Sequence, residues 1–412
     1  MLTKSASGAA AVILSLSFFI PFSEARQAAL DELIAQTKTY YQEGQYSNGA
    51  RTAEEALQIT EKINGPNHPS VAQSASRLAE LYRAQGKYAE AEPLFKRALE
   101  IVEQSSGSDH PDVATALNDL ANLYYLQGKY AEAEPLYQKS LAIWEKNFGP
   151  DHPNVGGALN NLAELYRTQG KYAKAELFYQ RALAIWKKNF GSNHPNVAGA
   201  MNNLAELYKA QGKYAEAEPL YQKSLAIWEK GRGASRADVA TCLNNLAELY
   251  AAQGKYAEAE FLFERSLEIR ERIFIGDHPD IAQSLNNLAN LYYAQDKFAQ
   301  AEPLFRRSLT MREAILGPDH PDVAISLNDL GNFYFTHKRF SEAEVFYKQA
   351  LVIMEKAFVP DHPYVQALRN NLAKLDEVLN PPPPEPQPPQ TVDGAEPVPS
   401  PEAASGSEPS KV

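Results

Sequence analysis

The octapeptide Leu159-Asn160-Asn161-Leu162-Ala163-Glu164-Leu165-Tyr166 recurs along the chain at a constant spacing of 42 residues. Close copies occupy residues 201–208, 243–250 and 285–292, and related versions start at Ala75, Leu117 and Leu327. A fixed period of this kind is the signature of a solenoid, in which each repeat packs only against its neighbours. The sequence therefore predicts one long repeat array.

Two further segments recur with the same period. The stretch Gln-Gly-Lys-Tyr-Ala-Glu-Ala-Glu-Pro-Leu-Tyr at residues 127–137 follows the octapeptide motif after a short gap, and it returns near residues 85, 169, 211 and 253. An Asp-His-Pro tripeptide separates the repeats and starts at Asp109, Asp151, Asp277, Asp319 and Asp361. Each repeat therefore consists of two long segments and a short linker, each of nearly constant length.

Each repeat has the pattern of two helices. In the first helix, apolar residues fall at positions i, i+3, i+4 and i+7 and form one stripe: Leu159, Leu162, Ala163 and Tyr166. Gly170 is expected to end this helix, because glycine readily takes the left-handed conformation after a helix C-terminus. The second helix should run to Gly191, and the proline of the linker should open the next first helix, where a missing N–H costs nothing.

This pattern resembles the tetratricopeptide family over roughly residues 30–380. The 42-residue period exceeds the usual ~34 residues, and the Leu-Asn-Asn-Leu-Ala and Gly-Pro-Asp-His-Pro pieces are similar to the repeats of kinesin light chains and their bacterial relatives. The resemblance implies an all-α fold, a right-handed superhelical solenoid of helix-turn-helix repeats. We expect about eight repeats and a C-terminal capping helix within residues 26–380.

The two ends of the chain differ from the array. Lys4, the apolar run from Ala9 to Ile20 and the small residues of Ser23-Glu24-Ala25 predict a cleaved signal peptide over residues 1–25 and a periplasmic or secreted protein. The alternatives are a short membrane anchor and a cytoplasmic chain. The apolar run is shorter than the ~20 residues that span a bilayer, which argues against the anchor. Residues 381–412 are rich in Pro, Glu, Ala and Ser and should be disordered, either as a solubilising tail or as a docking peptide.

The composition argues against several classes of function. A net charge of −11 without a basic stripe is a poor match to nucleic acid. The single cysteine, Cys242, cannot form an internal disulfide, and it occupies a slot that holds Ala or Ser in other repeats, so it should be buried. No repeat has more than one linker histidine, too few for a metal site between helices ~8–10 Å apart. We predict no metal, cofactor, catalytic site, small-molecule substrate or integral membrane span.

Asparagine occupies one position of the first helix in seven successive units, although it is a weak helix former. These residues are Asn118, Asn160, Asn202, Asn244, Asn286, Asn328 and Asn370. In the tetratricopeptide family this side of the helix lines the concave groove, so the resemblance implies that the amides bind the backbone of a protein or peptide ligand. The alternative is a ladder of Asn–Asn hydrogen bonds between adjacent repeats.

Other groove positions vary from repeat to repeat. Glu164 and Arg167 lie near the asparagine side and give the middle repeats mixed charge. Tyr125, Tyr293 and Phe335 share a register and are candidate anchors for apolar ligand side chains, because aromatic residues are frequent at interfaces. The predicted groove is therefore polar, with mixed charges and a few aromatic rings.

We interpret the protein as a non-catalytic scaffold for protein–protein interaction that is exported to the cell envelope. The alternative is a kinesin light chain, which couples cargo to the heavy chain of a microtubule motor. Residues 1–30 contain no heptad coiled coil of the kind that light chains use for this purpose. An enzyme would require a pocket of titratable groups that the repeat does not explain.

Overall fold

The computed structural model describes residues 22–231, 236–274 and 276–380. Most of the predicted signal peptide and the whole Pro-rich tail lie outside these residues. So do residues 232–235, in the linker where Gly-Arg-Gly-Ala-Ser-Arg at 231–236 replaces the Asp-His-Pro pattern. The first helix of the array begins at Phe22, four residues before the predicted start of the mature chain.

The described residues form seventeen α-helices and no β-strand. They are α1 Phe22–Gln42, α2 Tyr46–Asn64, α3 Pro69–Ala84, α4 Tyr88–Ser106, α5 Pro111–Leu126, α6 Tyr130–Phe148, α7 Pro153–Thr168, α8 Tyr172–Phe190, α9 Pro195–Ala210, α10 Tyr214–Lys230, α11 Arg236–Ala252, α12 Tyr256–Ile273, α13 Pro279–Ala294, α14 Phe298–Leu316, α15 Pro321–Thr336, α16 Phe340–Ala357 and α17 Pro363–Leu379. Odd-numbered helices α1–α15 are the first helices of eight hairpins, even-numbered ones are the second helices, and α17 follows the last hairpin. The predicted all-α repeat solenoid is confirmed.

A histidine caps the start of nearly every first helix. In α7, the backbone N–H of Asn154 donates to Nδ1 of His152 at 3.2 Å, and Pro153 occupies the first helical position. The same arrangement recurs at His68, His110, His194, His278, His320 and His362. These seven residues, here called the capping histidines, stabilise a helix end, which is the linker role expected from the sequence.

Glycine residues with positive φ form most of the turns inside the hairpins. Gly170, between α7 and α8, has φ +71°, and Lys338 and Asp296 adopt φ 57° in the same slot of two later hairpins. Lys338 stands where most repeats carry Gly, and the left-handed conformation costs a residue with a Cβ atom about 1–2 kcal/mol. The turn itself therefore tolerates a side chain.

Small and large side chains alternate through the core. Ala163 and Ala175 are fully buried and let α7 and α8 approach closely, while Tyr166 and Tyr179 fill the space between hairpins. The Ser140 hydroxyl donates to the Ala114 carbonyl oxygen at 2.7 Å, a bond that Ser224, Ser266 and Ser308 repeat. Cys242 is fully buried in its small slot, as predicted.

The first helices form the inner wall of the curved array. First helices of neighbouring hairpins contact one another directly, as α3 does with α5, α7 with α9, and α13 with α15. The asparagine register lies on these first helices, and its hydrogen bonds join one repeat to the next. The side of the array that carries this register is here called the groove.

The array curves until its beginning meets its end. Helix α2 contacts α14, and the hairpin turns at Gly44, Gly86 and Gly128 lie against the linkers that carry His278, His320 and His362. We call this set of three turn-to-linker contacts the seam. Across it, the rings of Tyr88 and Phe358 lie 6.1 Å apart. The seam makes the groove a closed turn instead of an open trough.

Candidate functional site

The groove asparagines form hydrogen bonds between successive repeats. Nδ2 of Asn161 donates to Oδ1 of Asn118 at 2.7 Å, and Nδ2 of Asn203 donates to Oδ1 of Asn160 at 2.8 Å. Three further rungs join Asn245 to Asn202, Asn287 to Asn244 and Asn371 to Asn328. Five of the seven residues of the predicted register, Asn118, Asn160, Asn202, Asn244 and Asn328, therefore accept a bond from the following repeat.

Burial separates these asparagines into two groups. Asn202, Asn244 and Asn286 expose only 7%, 2% and 4% of their surface. Asn118, Asn160 and Asn328 are half-buried, and Asn370 on α17 is exposed. The central three have little surface left for a ligand, because their neighbours in the ladder cover them. The outer ones keep part of their amides open to the groove.

The register of Asn161, Asn203, Asn245, Asn287 and Asn371 carries aspartate at two positions, 119 and 329. Asp329 accepts hydrogen bonds from Nδ2 of Asn286 at 2.6 Å and of Asn290 at 3.3 Å, so the direction of donation reverses at this rung. This follows from the chemistry, because an ionised carboxylate can only accept. Burial raises the pKa of Asp329 above its ordinary value.

The second substitution, Asp119, lies near the start of the groove. It borders a cavity of about 300 Å³ together with Ser76, Arg77 and Thr115. Burial, followed by the nearby charge of Glu80, raises the pKa of Asp119 to about 7. The carboxyl group therefore changes its charge near neutral pH, on the groove wall.

Glu164 and Arg167 form an internal network. Nε of Arg167 donates to Oε2 of Glu164 at 2.9 Å, and the hydroxyls of Tyr179 and Tyr125 donate to the same carboxylate at 2.6 and 3.1 Å. Burial alone would raise the pKa of Glu164, but these donors, led by Arg167, hold it below its ordinary value. Both residues lie in the groove wall, with their charges largely satisfied by each other.

The three predicted aromatic anchors are half-buried, and the hydroxyls of the two tyrosines already form hydrogen bonds. The Tyr125 hydroxyl lies 2.8 Å from Oγ1 of Thr168 in the next repeat, and the Tyr293 hydroxyl lies 2.5 Å from Oγ1 of Thr336. The ring of Phe335 packs against Phe340 with centroids 5.6 Å apart. These residues connect repeats and leave only part of each ring facing outward.

A cavity of about 510 Å³ lies where α5, α7 and α9 border the groove. Its polar lining comes mainly from first helices, with two indole rings beside it: Thr115, Asn118, Asn154, Asn161, Asn196, Trp144 and Trp186. Gly157 also lines it, and a Cβ atom there would meet nothing within 4 Å among the described residues. Sequence reasoning missed this site. Its signal was glycine at 157 and 199, where other repeats carry Thr, Gln, Ile or Ala.

The described residues give no indication of metal chemistry or of a membrane span. Within residues 22–231, 236–274 and 276–380, no group of three His, Cys, Asp or Glu side chains is placed to hold a metal ion. None of the helices in these ranges is long and apolar enough to cross a bilayer.

Comparison with known proteins agrees with this geometry. The profile of the tetratricopeptide repeat family matches seven overlapping segments of the chain: residues 37–104, 70–142, 112–188, 157–230, 196–272, 238–314 and 280–356. The chain belongs to the tetratricopeptide repeat family. A tetratricopeptide array is a scaffold for protein–protein interaction, so the broad functional class predicted from the sequence is confirmed.

Several solved structures of tetratricopeptide proteins are similar to this one. BtubC (BKLC) from P. vanneervenii is 28% identical, with a TM-score of 0.45, over 56% of this chain and 91% of its own. A putative kinesin light chain from Podosopora anserina with nearly identical TPR-like repeats is 27% identical, with a TM-score of 0.43, over 51% of this chain and 98% of its own.

A Rap protein complexed with Competence and Sporulation Factor shares the fold, with a TM-score of 0.52 at 13% identity over 87% of this chain and 99% of its own. A search of curated proteins found no match. The predicted membership of the tetratricopeptide family is thereby confirmed, and the kinesin-light-chain-like type agrees with the names of the two structures above.

Proposed function

We propose that the chain captures an extended peptide, or a flexible segment of a partner protein, on the groove wall between α5 and α9. The observation that supports this most directly is the cavity of about 510 Å³ beside Gly157. There the amides of Asn118, Asn154 and Asn161 converge on open space, and an amide side chain can both donate to and accept from a peptide backbone.

The asparagines have two roles in this proposal. Asn202, Asn244 and Asn286 are buried and hold successive repeats together, while the half-buried Asn118 and Asn160 combine a rung of the ladder with an exposed amide edge. Glu164 and Arg167 fix the shape of the wall. Tyr125, Tyr293 and Phe335 offer ring faces at intervals along the groove for apolar ligand side chains.

A display library of random peptides, selected on the full chain, tests this proposal. Asn154 and Asn196 line the cavity but donate no rung of the ladder, so replacing both with Ala removes ligand contacts and leaves the repeats joined. We expect the selected peptides to bind the double variant at least about tenfold more weakly, a loss of ~1.4 kcal/mol, at an unchanged melting temperature.

The matched control replaces Leu177, which is 68% exposed on a second helix away from the groove, with Ala. Peptide affinity should be unchanged in this variant. Selection of no peptides, or equal loss of affinity in the control and in the double variant, would contradict a site beside Gly157.

We further propose that the protein works outside the cytoplasm. The support is the N-terminal pattern alone: Lys4, the apolar run that follows it, and the small residues Ser23 and Ala25. N-terminal sequencing of the protein from its native host tests this. We expect the mature chain to begin near Arg26, whereas an intact Met1 would favour a cytoplasmic scaffold.

A further inference from the structure

The seam accepts a hairpin turn only where the turn carries glycine. A Cβ atom on Gly86 would lie 2.6 Å from Cδ of Pro321, and one on Gly128 would lie 2.4 Å from Cδ2 of His362. On Gly44 it would lie 2.9 Å from Cδ of Pro279. Real Cβ atoms do not approach other atoms so closely, so the linker must press directly on a backbone without a side chain.

Three other hairpin turns have the same glycine geometry but no linker against them. Gly170, Gly212 and Gly254 have φ values of +71°, +71° and +74°, are exposed, and have nothing within 4 Å of an added Cβ in the described structure. The two remaining turns carry Asp296 and Lys338, whose Cβ atoms would obstruct such a contact. The number of open glycine turns thus equals the number in the seam.

Four linkers equivalent to those of the seam have no hairpin turn against them in the described structure. Capping histidines inside the seam expose only 7–8% of their surface, whereas His68 and His110 are exposed and His152 and His194 are half-buried. All four open histidines are followed by proline and cap a first helix with the same Nδ1 geometry. They therefore present the same docking surface that the seam buries in later repeats.

The open turns and the open linkers lie at opposite ends of the wound array. Every open glycine turn comes after the seam turns in the chain, and every open linker comes before the seam linkers. Because a solenoid winds in one direction, the open turns lie at one end of the molecule and face outward. The open linkers lie at the other end and also face outward. Two complementary surfaces therefore point along the array axis.

We propose that a second copy of this chain docks three successive linkers of the set His68, His110, His152 and His194 onto the three turns at Gly170, Gly212 and Gly254. This contact continues the seam from one molecule to the next. The two surfaces differ, so the interface is head-to-tail, and it leaves one surface of each kind free at the ends of the pair. Assembly then proceeds beyond the dimer and aligns the peptide grooves of successive molecules.

Two variants of the full chain test the proposal. The turn variant, Gly170→Asp with Gly212→Asp and Gly254→Asp, uses the residue that the chain itself carries at 296 with φ 57°. The linker variant, with His68, His110, His152 and His194 replaced by Asn, keeps a side chain that caps helices well but removes the imidazole. Circular dichroism and melting temperature establish that each variant is folded.

Sedimentation velocity over a wide range of concentration is the measurement. We expect the average mass of the unmodified chain to rise at least twofold with concentration, and each variant alone to stay monomeric. An equimolar mixture of the two variants should form dimers and stop there, because only one compatible pair of surfaces remains.

A monomeric unmodified chain at all concentrations would overturn the proposal. Growth that continues unchanged in both variants would overturn it as well, because the contact would then lie elsewhere. If the turn variant is unfolded, the linker variant alone decides: it must lose association while it keeps the melting temperature of the unmodified chain.

Discussion

His320 and Ala84 lie 236 residues apart in the chain, yet the imidazole Nε2 of His320 donates a hydrogen bond to the Ala84 carbonyl oxygen at 3.3 Å. Nδ1 of the same ring accepts from the backbone N–H of Asp322 at 3.0 Å, which places the proton on Nε2. One neutral side chain thus caps α15 and fastens an early hairpin turn to a late linker.

The first prediction concerns the glycine in that turn. Gly86→Ala and Gly212→Ala place the same residue at nearly the same positive φ, +69° and +71°, but only the Cβ at 86 meets a linker. Both variants carry the cost of a left-handed alanine, about 1 kcal/mol. We expect Gly86→Ala to lower the free energy of unfolding by a further ~1–3 kcal/mol through overpacking. Denaturant titration at low protein concentration measures it, and equal losses would argue against the seam.

The second prediction is that the seam weakens in acid. Burial lowers the pKa of His278, His320 and His362, with Asp322 opposing and Arg312 reinforcing the effect at His320. A histidine whose folded pKa lies below the ordinary value of about 6.5 takes up a proton on opening, so its contribution is complete above that pH and is lost as the pH falls below it.

Hydrogen exchange of the turns at Gly86 and Gly128 should therefore speed up between pH 7 and pH 5 after correction for the intrinsic rate, while the turn at Gly212 shows no such change. Replacing the three seam histidines with Asn should remove this difference. If the corrected exchange rates of all three turns did not change with pH, the assignment of neutral, buried imidazoles to the seam would be contradicted.

The third prediction concerns Asp119, whose pKa is raised to about 7 by burial and by Glu80. Between about pH 4 and pH 7 the unfolded chain loses this proton and the folded chain keeps it, so stability falls as the pH rises through this window. Asp119→Asn, which matches Asn161 in the next repeat, should raise the free energy of unfolding by roughly 1–3 kcal/mol at pH 8 and by little at pH 4. The control Asp31→Asn, at an exposed site, should leave the free energy of unfolding unchanged at both pH values. An equal gain from Asp119→Asn at pH 4 and at pH 8 would contradict the raised pKa of Asp119.

The fourth prediction uses two adjacent glycines in α7. A Cβ on Gly156 would lie 2.9 Å from Nε1 of Trp186, whereas a Cβ on Gly157 would meet nothing within 4 Å. Gly156→Ala should therefore destabilise the array by ~1–3 kcal/mol, although alanine occupies this slot in other repeats. Gly157→Ala should stabilise the helix by ~0.5–1 kcal/mol. Thermal melts of the pair measure both, and effects of the same sign would refute the packing of Trp186.

The repeat architecture was predictable because every copy obeys the same local rules. The stripe of Leu159, Leu162 and Tyr166, the stop at Gly170 and the proline of each linker are determined by contacts within one hairpin or between neighbours. The seam was not predictable, because it depends on the total curvature of the array, to which every interface contributes a small angle. Nothing in the sequence near His320 distinguishes it from His152.

The asparagine register was predictable from the repeat spacing, but the burial of its members was not. The spacing of 42 residues identifies the register of Asn118 and Asn160, and it is compatible with a ladder and with a ligand site. Which amides stay open depends on burial, and Asn244 is covered only because of how its neighbours pack. His337 at the end of α15 shows the same limit: an isolated histidine suggests exposure, but its ring packs against Phe298 and Phe333 at 4.3 Å.

A distance measurement across the seam tests the central claim, that the array closes on itself. Spin labels at Glu90→Cys and Asp319→Cys, in a Cys242→Ser background, occupy two exposed sites on opposite sides of the seam. Double electron–electron resonance at low protein concentration should give one narrow distribution at the short end of the measurable range. A long and broad distribution, as from an open arc whose ends never meet, would contradict the account.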